Sequence, residues 1–295
     1  MYSEILKALY QLNNAHSEEE KVRYLQSLQD PARALWLRYK NQYVRVDYAD
    51  YATQAAYILR YFPQYSQIIR ILLNQLKAKG VFLSASDKAI NCALFGSGPC
   101  PEACGIVQYV NDIRLDVKTF QYTSFDINAN SWGYSRDITQ QHILPSLFRD
   151  SIKGSAANFD LSLPINMENF DKTIGEMNLV VFQNCLNEIN PAKYTQTLAN
   201  LLEIYNRLSS NTLLILIDLS GFSSVMQLLS DFQSKISSGK IVEPLDLNSK
   251  RYFAAGIVNT MPTILRTNLL NGSKENQNGL IPRVNIDYHT IAIRK

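Results

Sequence analysis

The sequence predicts an α/β protein in which a helical N-terminal region precedes a doubly wound, mostly parallel sheet of seven strands. Up to about residue 79 the apolar residues recur at helical spacing, whereas from residue 90 onward short apolar runs alternate with helical segments. Two of these runs, Leu179–Phe182 and Leu213–Ile217, are continuously apolar, which is typical of parallel strands buried on both faces. Strands that alternate with helices indicate a parallel sheet with helices on both sides.

Helix signals divide the first 79 residues. Ser17 and Glu20 have the spacing of a capping box, and Asp30-Pro31 has the form of an N-cap followed by the first helical residue. The helical spacing of 48–61 is interrupted at Phe62-Pro63, because the residue before a proline is driven out of the helical conformation. A further helix over 64–79 has one apolar face, and we expect Gly80 to end it.

Seven strands and the helices between them are expected in the remainder of the chain. The strands are 91–95, 118–125, 156–159, 178–182, 212–219, 251–258 and 286–293. The helices are 101–111, 137–153, 192–208 and 223–236. Residues 259–283 are polar and contain Asn271-Gly272, so we expect a long loop there.

The composition is ordinary for a globular protein: 46% apolar, 19% charged and a net charge of +3. No apolar run approaches the ~18 residues that suggest a membrane span, and the N-terminus lacks the features of a signal peptide. Four cysteines without a second tight ligand pair predict no metal site and fit a reducing compartment. We therefore expect a cytoplasmic protein without a membrane partner. The scattered basic residues neither indicate nor exclude a nucleic acid.

A glycine-containing loop follows the first expected strand. Gly96-Ser97-Gly98-Pro99 ends the apolar run, and a helix starts at Pro101. Such a turn offers free backbone N–H groups to a ligand. Asp126 and Asp160 stand where the second and third strands end. In a doubly wound sheet these ends face the ligand crevice, where a carboxylate accepts hydrogen bonds from a ribose or from the amino group of adenine.

Other readings of this loop are a plain structural turn, a dinucleotide site and a P-loop. A dinucleotide fingerprint requires a third glycine where this chain has Pro101, which disfavours a nicotinamide oxidoreductase. A P-loop requires a Gly-Lys-Ser/Thr ending that the chain lacks. A loop that holds a nucleoside without phosphates needs fewer backbone N–H groups and tolerates Pro99.

Over roughly residues 90–295 the chain resembles the class I S-adenosylmethionine-dependent methyltransferases, which have a Rossmann-like sheet. Residues 96–99 look like that family's glycine motif, and 178–184 look like its fourth-strand motif. The resemblance implies S-adenosyl-L-methionine as the cofactor, with Asp126 on the ribose and Asp160 on the adenine. It also implies that the last two strands include an antiparallel one. Residues 57–65 are similar to the mitochondrial-small-ribosomal-subunit-type methyltransferases, although their cysteine-rich metal motif is absent.

Two residues depart from the family's usual glycine motif. Leu94 stands where an acidic residue is usual, and Cys100 stands where a third glycine is usual. Glu102, just inside the following helix, is a candidate for the missing carboxylate near the methionine amino group.

Candidate site residues follow from the motifs and the resemblance together. Asn184 is expected to orient the methyl acceptor and Glu188 to take a proton from it, since a base helps when the acceptor carries a proton that must leave. Cys185 as a covalent nucleophile is disfavoured, because the chain lacks the accompanying proline and partner cysteine. The expected cofactor-binding residues are Gly96, Ser97, Gly98, Pro99, Glu102, Asp126, Asp160, Tyr57, Tyr61 and Gln183.

These features predict a methyltransferase in which region 1–85 is a helical lid that shapes the acceptor site and 86–295 is the cofactor-binding domain. The methyl acceptor is not identified by the sequence, and a small molecule is slightly favoured over RNA. The alternatives are an rRNA methyltransferase and a protein that binds S-adenosylmethionine without catalysis.

Overall fold

The computed structural model describes residues 1–39, 46–165, 171–272 and 280–295. Its centre is one mixed sheet of eight strands. The strands are β1 (Ala89–Phe95), β2 (Thr119–Asp126), β3 (Ser151–Asn158), β4 (Leu179–Gln183), β5 (Leu213–Leu219), β6 (Lys240–Glu243), β7 (Lys250–Phe253) and β8 (Asn285–Arg294).

The sheet has the order β3-β2-β1-β4-β5-β8-β6, with β7 also paired to β8. Strands β1 to β5 are parallel, and β8 runs antiparallel to β5. The strand order switches direction between the neighbouring strands β1 and β4, which is where a doubly wound sheet opens a ligand crevice. The predicted α/β class and the mostly parallel, Rossmann-like sheet are confirmed.

The far edge of the sheet differs from the prediction. Strands β6 and β7 both pair antiparallel with β8, so together they form one edge strand that a short loop interrupts. Strand β6 is not predicted from the sequence. It has four residues, two of them exposed, and shows no clear alternation of apolar and polar side chains. The strand expected at 251–258 ends at Phe253, and a short helix follows from Ala255.

Helices cover both faces of the sheet. They are α1 (Tyr2–Leu12), α2 (Glu18–Ser27), α3 (Gln29–Arg38), α4 (Tyr51–Arg60), α5 (Phe62–Ala78), α6 (Pro101–Asp112), α7 (Gly133–Ile138), α8 (Leu144–Leu147), α9 (Asp171–Gly175), α10 (Tyr194–Arg207), α11 (Ser223–Lys235), α12 (Ala255–Asn259) and α13 (Thr263–Asn268). A π-helical turn, Thr139–Ile143, joins α7 to α8, and 3₁₀ turns occur at Leu186–Glu188 and Pro191–Lys193.

The helix predicted over 137–153 was wrong at its C-terminal end. Helix α8 ends at Leu147, and β3 already begins at Ser151. The sequence Ser-Ile-Lys-Gly-Ser-Ala-Ala-Asn has little intrinsic preference for a strand. Its pairing with β2 along all eight residues sets its conformation, an example of tertiary structure overriding local propensity.

The N-terminal helix signals had mixed outcomes. The capping box at Ser17 is present, with both reciprocal hydrogen bonds. Helix α3 begins at Gln29 rather than at Pro31, because the chain turns into it directly from α2 with Leu28 as the N-cap. The predicted break near Pro63 is confirmed, since α4 ends at Arg60 and α5 starts at Phe62.

One hydrophobic core joins the N-terminal helices to one face of the sheet. Ile58 and Ile68 belong to the same cluster as Leu94, Val181 and Ile215. The alternate residues of β4 and β5 point into a second core beneath α10 and α11. The division of the chain into two domains near residue 85 stays a prediction. The hydrophobic core contains residues from both sides of that boundary.

The long loop expected at 259–283 contains α13, and its residues 273–279 lie outside the described part of the chain. None of the helices in the described ranges is long and apolar enough to cross a membrane.

Candidate functional site

A cavity of about 430 Å³ opens at the carboxyl ends of β1, β2 and β4. The loops after these strands and a set of aromatic side chains enclose it. Its lining includes Tyr39, Tyr48, Tyr57, Gly96, Gly98, Asp126, Trp132, Asp160, Asn184, Cys185, Glu188 and Lys193.

The loop after β1 is held in a conformation that favours glycine. Gly96 and Gly98 have φ angles of +59° and +48°. A Cβ atom on Gly96 would lie 2.1 Å from the Cβ atom of Cys185, and one on Gly98 would lie 2.8 Å from the Trp132 indole. Gly96 therefore lets the loop pack closely on Cys185 after β4, and Gly98 lets it pack closely on the Trp132 indole.

Cys100 adopts the left-handed conformation, with φ +63°, at the N-cap of α6. This conformation explains why a glycine suits the position, and Cys100 occupies it at a cost in backbone strain.

The Asp126 carboxylate joins the ends of β1 and β2. It accepts a 3.0 Å hydrogen bond from the Gly98 N–H and a 2.7 Å hydrogen bond from the Asn128 N–H. Burial raises the pKa of Asp126, and these two backbone donors oppose that rise. The carboxylate lines the cavity with lone pairs left to accept hydrogen bonds from a ligand.

The turn after β4 carries Asn184 and Glu188. Asn184 has φ +55°, and both atoms of its side-chain amide are buried without a hydrogen-bond partner in the described ranges. The Glu188 carboxyl lines the cavity and makes no hydrogen bond or ion pair with another described residue. Buried polar groups without partners are rare in folded proteins, and a role in binding or catalysis is one physical reason for them.

Asp218, at the end of β5, holds this turn in place. Its buried carboxylate accepts hydrogen bonds from the N–H groups of Leu186 at 2.8 Å and Asn187 at 3.2 Å, and from that of Leu219 at 2.7 Å. It thereby fixes the start of the 3₁₀ turn that ends at Glu188. We did not predict Asp218 as a site residue.

Carboxyl groups accumulate around the cavity. Burial, reinforced by the charges of Asp126 and Asp218, raises the pKa of Glu188 to about 8. Burial also raises the pKa of Glu102 to about 8 and that of Asp218 to about 7. The described residues that line the cavity include one basic side chain, Lys193, so the wall is complementary to a cationic ligand.

These raised pKa values predict a pH-dependent stability. A carboxyl group can have a higher pKa in the folded than in the unfolded state. Such a group lowers the stability of the fold as the pH rises from the pKa of the unfolded state to the pKa of the folded state. We expect the melting temperature of the ligand-free protein to fall between pH 6 and pH 8.5. Glu188→Gln should reduce that fall by roughly 2–4 °C, equivalent to about 1 kcal/mol. Thermal unfolding followed by circular dichroism measures this. Equal falls in both proteins would show that Glu188 titrates normally.

Aromatic residues from the N-terminal region form the roof of the cavity. The hydroxyl oxygens of Tyr39 and Tyr48 lie 2.6 Å apart. The Tyr48 ring stacks on Trp132 with a centroid distance of 4.1 Å, and Tyr57 meets Trp132 edge-on at 5.2 Å. The N-terminal region and the loop after β2 thus build this wall together.

Gln54 fastens the roof to the loop that follows β2. Its buried amide donates hydrogen bonds to the carbonyl oxygens of Tyr48 at 2.8 Å and Ser131 at 2.7 Å, and it accepts two from Ser135. All the usual bonding capacity of the amide is used.

Replacing Gln54 by leucine should leave several buried backbone groups without partners. Since each such group costs roughly 1–3 kcal/mol, we expect a loss of about 2–4 kcal/mol in the free energy of unfolding. Urea denaturation measures it. Gln227→Leu, at an exposed helical position, is the matched control. A loss no larger than that of the control would contradict the role given to Gln54.

Five of the predicted cofactor residues lie behind the cavity wall instead of in it. Tyr61 packs behind Tyr57, with a centroid distance of 5.5 Å. The Ser97 hydroxyl donates to Glu102 at 2.8 Å, so the Glu102 carboxyl faces the loop. The remaining two make contacts away from the cavity: the Pro99 carbonyl accepts from Thr139, and the Gln183 amide donates to the Tyr65 carbonyl. Their roles as ligands stay predictions.

Asp160 lies in the cavity wall, but its carboxylate also serves its own loop. It accepts hydrogen bonds from the N–H and the hydroxyl of Ser162, at 2.8 and 2.7 Å. A second acidic residue is thus available near the mouth of the cavity.

Cys185 lies beside Asn184 in the turn after β4. Burial raises the pKa of its thiol well above the usual value, which disfavours a thiolate nucleophile.

The roof residues Tyr39 and Tyr48 were also missed as site residues. Tyr39 lies four residues after Leu35, a helical spacing that indicates only a packing face. A sequence signal existed for Asp218, which ends an apolar strand as Asp126 does.

In the part of the chain that the structure describes, no group of three or more His, Cys, Asp or Glu side chains is placed to hold a metal ion.

Comparisons with known proteins gave distant structural neighbours. No family model and no curated protein matches the sequence. The citrinin polyketide synthase CMeT domain is similar at 11% identity and a TM-score of 0.44, covering 98% of this chain and 68% of its own. The trans-methyltransferase CalH in complex with SAH is similar at 12% and 0.40, covering 83% and 59%.

A third similar structure is the fibrillarin/Nop5p complex, at 9% identity and a TM-score of 0.39, covering 78% of this chain and 83% of the other. Because these identities and TM-scores are low, the likenesses do not assign a function to this chain.

Proposed function

We propose that this chain is an S-adenosylmethionine-dependent methyltransferase. The observation that carries the proposal is the junction of Gly98 with Asp126. A glycine loop after the first strand and a carboxylate after the second meet through a hydrogen bond, at the edge of a cavity in the crevice of the sheet. This is where a doubly wound fold binds a nucleoside.

The cavity fits the cofactor in size, shape and charge. Its volume of about 430 Å³ lies within the range of roughly 300–1,000 Å³ of small-molecule pockets. A side chain on Gly96 would collide with Cys185 and one on Gly98 with Trp132, so the glycine loop packs directly against these two lining residues. The acidic side chains in the lining, Asp126, Asp160 and Glu188, and the aromatic roof suit a cation, because carboxylates and ring faces both attract positive charge.

Asp126 would hold the ribose hydroxyls, and Asp160 with its loop would border the adenine. Bound S-adenosylmethionine supplies a methyl group on a sulfonium sulfur, and the bonding electrons remain on that sulfur when the methyl group leaves. The residues of the turn after β4 then act on the acceptor. Asn184 has unpartnered amide atoms to orient it, and a Glu188 carboxylate accepts the proton it loses.

Leu94 supports a second candidate, cofactor binding without catalysis. This residue is fully buried in the core, so no acidic side chain takes its place at the end of β1. Glu102 is bonded to Ser97 and does not replace that acid in the cavity wall. The methionine amino group would then have fewer protein partners than in the related enzymes that the sequence resembles.

Calorimetric titration tests the proposal. We expect saturable binding of S-adenosylmethionine, with a proton released near pH 7 as Glu188 ionises beside the cation, and no response to NAD. Binding of NAD alone would reject the proposal. Labelled S-adenosylmethionine incubated with fractionated RNA, protein and small molecules then separates catalysis from binding. We expect label in the small-molecule fraction, whereas label in RNA would favour an rRNA methyltransferase, and no label would favour the binding protein.

A further inference from the structure

Behind the aromatic roof lies a buried arginine without a carboxylate partner. The Arg60 side chain is 4% exposed, yet in the described ranges it forms no ion pair. One of its terminal nitrogens, Nη1, donates to the Ala32 carbonyl at 3.0 Å, and its Nε has no hydrogen-bond partner. Burying an uncompensated charge is costly, so its retention calls for a role.

Two other arginines show what the same guanidinium edge does in this protein. Arg70 holds Asp112 through Nε and Nη2, at 2.7 and 2.8 Å. Arg251 holds Asp287 through the same two atoms, at 2.6 and 2.9 Å. This side-on arrangement is the bidentate geometry for carboxylate and phosphate. In Arg60 the Nε–Nη2 edge holds neither a carboxylate nor any other described acceptor.

A second guanidinium lies in the same cluster. Arg283 donates to the Tyr65 hydroxyl at 2.8 Å and lies 5.8 Å from the centre of that ring. Arg60 lies 5.0 Å from the Tyr61 ring, and the two tyrosines stack at 5.9 Å. Burial lowers the pKa of Arg60, and the charge of Arg283 lowers it further. The two cations therefore repel each other across a tyrosine pair.

We propose that Arg60 and Arg283 form an oxyanion-binding site for a carboxylate or phosphate group, behind the aromatic roof of the cavity. An oxyanion would occupy the unused edge of Arg60 and relieve the repulsion between the two cations. The cluster lies directly behind the cavity, since Tyr61 contacts Tyr39 at 5.3 Å and Tyr65 contacts Tyr57 at 6.5 Å. The site does not depend on the proposed methyl transfer, because neither arginine lines the cavity.

Inorganic phosphate is the probe for this site. Thermal unfolding of the full chain is compared in sodium phosphate and sodium chloride at equal ionic strength, with sodium acetate as the carboxylate arm. We expect a saturable rise in melting temperature of roughly 2–4 °C in phosphate for the unmodified protein. Arg60→Gln and Arg283→Gln should lose it. A larger effect of acetate than of phosphate would assign the site to carboxylates.

Arg251→Gln is the matched control, because the corresponding edge of Arg251 is already occupied by Asp287, and it should retain the shift. If Arg60→Gln does not fold, Arg60→Lys and phosphorus NMR titration of the unmodified protein replace it, with saturable line broadening expected. Equal phosphate shifts in the unmodified protein and Arg283→Gln would overturn the site.

Discussion

Gly96→Ala is expected to abolish measurable cofactor binding and to destabilise the fold. The new Cβ atom would lie 2.1 Å from the Cβ atom of Cys185, and the residue would keep its φ of +59°. Overpacking costs roughly 1–3 kcal/mol, and the left-handed conformation adds about 1–2 kcal/mol. We expect a loss of about 2–5 kcal/mol in the free energy of unfolding, measured by urea denaturation, and at least a hundredfold loss of affinity, measured by calorimetry.

Two glycines separate the contributions to that loss. Gly80 has φ +80° but nothing within 4 Å of an added Cβ, so Gly80→Ala reports the backbone strain alone. Gly133 has open space and no positive φ, so Gly133→Ala should be nearly neutral. Adding Cys185→Gly to Gly96→Ala should recover part of the stability, because the colliding atom is removed. Equal losses in the Gly96 and Gly80 variants would contradict the close approach of β1 to β4.

Asp126→Asn is expected to weaken S-adenosylmethionine binding by about a hundredfold. Both oxygens of the carboxylate accept backbone hydrogen bonds, from Gly98 and Asn128, and an asparagine offers only one oxygen acceptor. The variant would direct an NH₂ group toward one N–H and would lose charge-assisted bonds to the ribose, which contribute roughly 1.5–3 kcal/mol each. Calorimetric titration measures the affinity.

Asp160→Asn is the matched control for Asp126→Asn. Asp160 also lines the cavity, but its carboxylate accepts two hydrogen bonds from Ser162 in its own loop. We expect a smaller loss, about tenfold or less. If the two variants lose affinity equally, Asp126 contributes no more to cofactor binding than Asp160 does. If Asp126→Asn binds normally, the proposed ribose contact is wrong.

The sequence placed the glycine loop and Asp126 correctly in the fold because both follow directly from strand ends. Parallel strands bring their carboxyl ends to one edge, so Gly98 and Asp126 are both expected at the ligand crevice, where the structure joins them by a hydrogen bond. The approach of Gly96 to Cys185 was not predictable. It depends on the twist of β1 against β4, which no local spacing records.

The roof of the cavity shows a different limit of sequence reasoning. Tyr57 lies four residues before Tyr61, which has the spacing of a helical packing stripe, and Tyr57 does pack on Tyr39 and Tyr48. Their position over the cavity is set by Gln54, whose partners Ser131 and Ser135 are about 80 residues away in the chain. Only the three-dimensional arrangement distinguishes a wall of a site from an ordinary core.

Trp132 gives the protein a built-in optical reporter. It is one of two tryptophans in the chain, and its indole lies against Gly98 in the cavity wall, whereas Trp36 belongs to α3. Emission of a Trp36→Phe variant would come from Trp132 alone. Ligand entry beside Gly98 changes the polarity around that indole, so occupancy of the site becomes readable in real time without a labelled molecule.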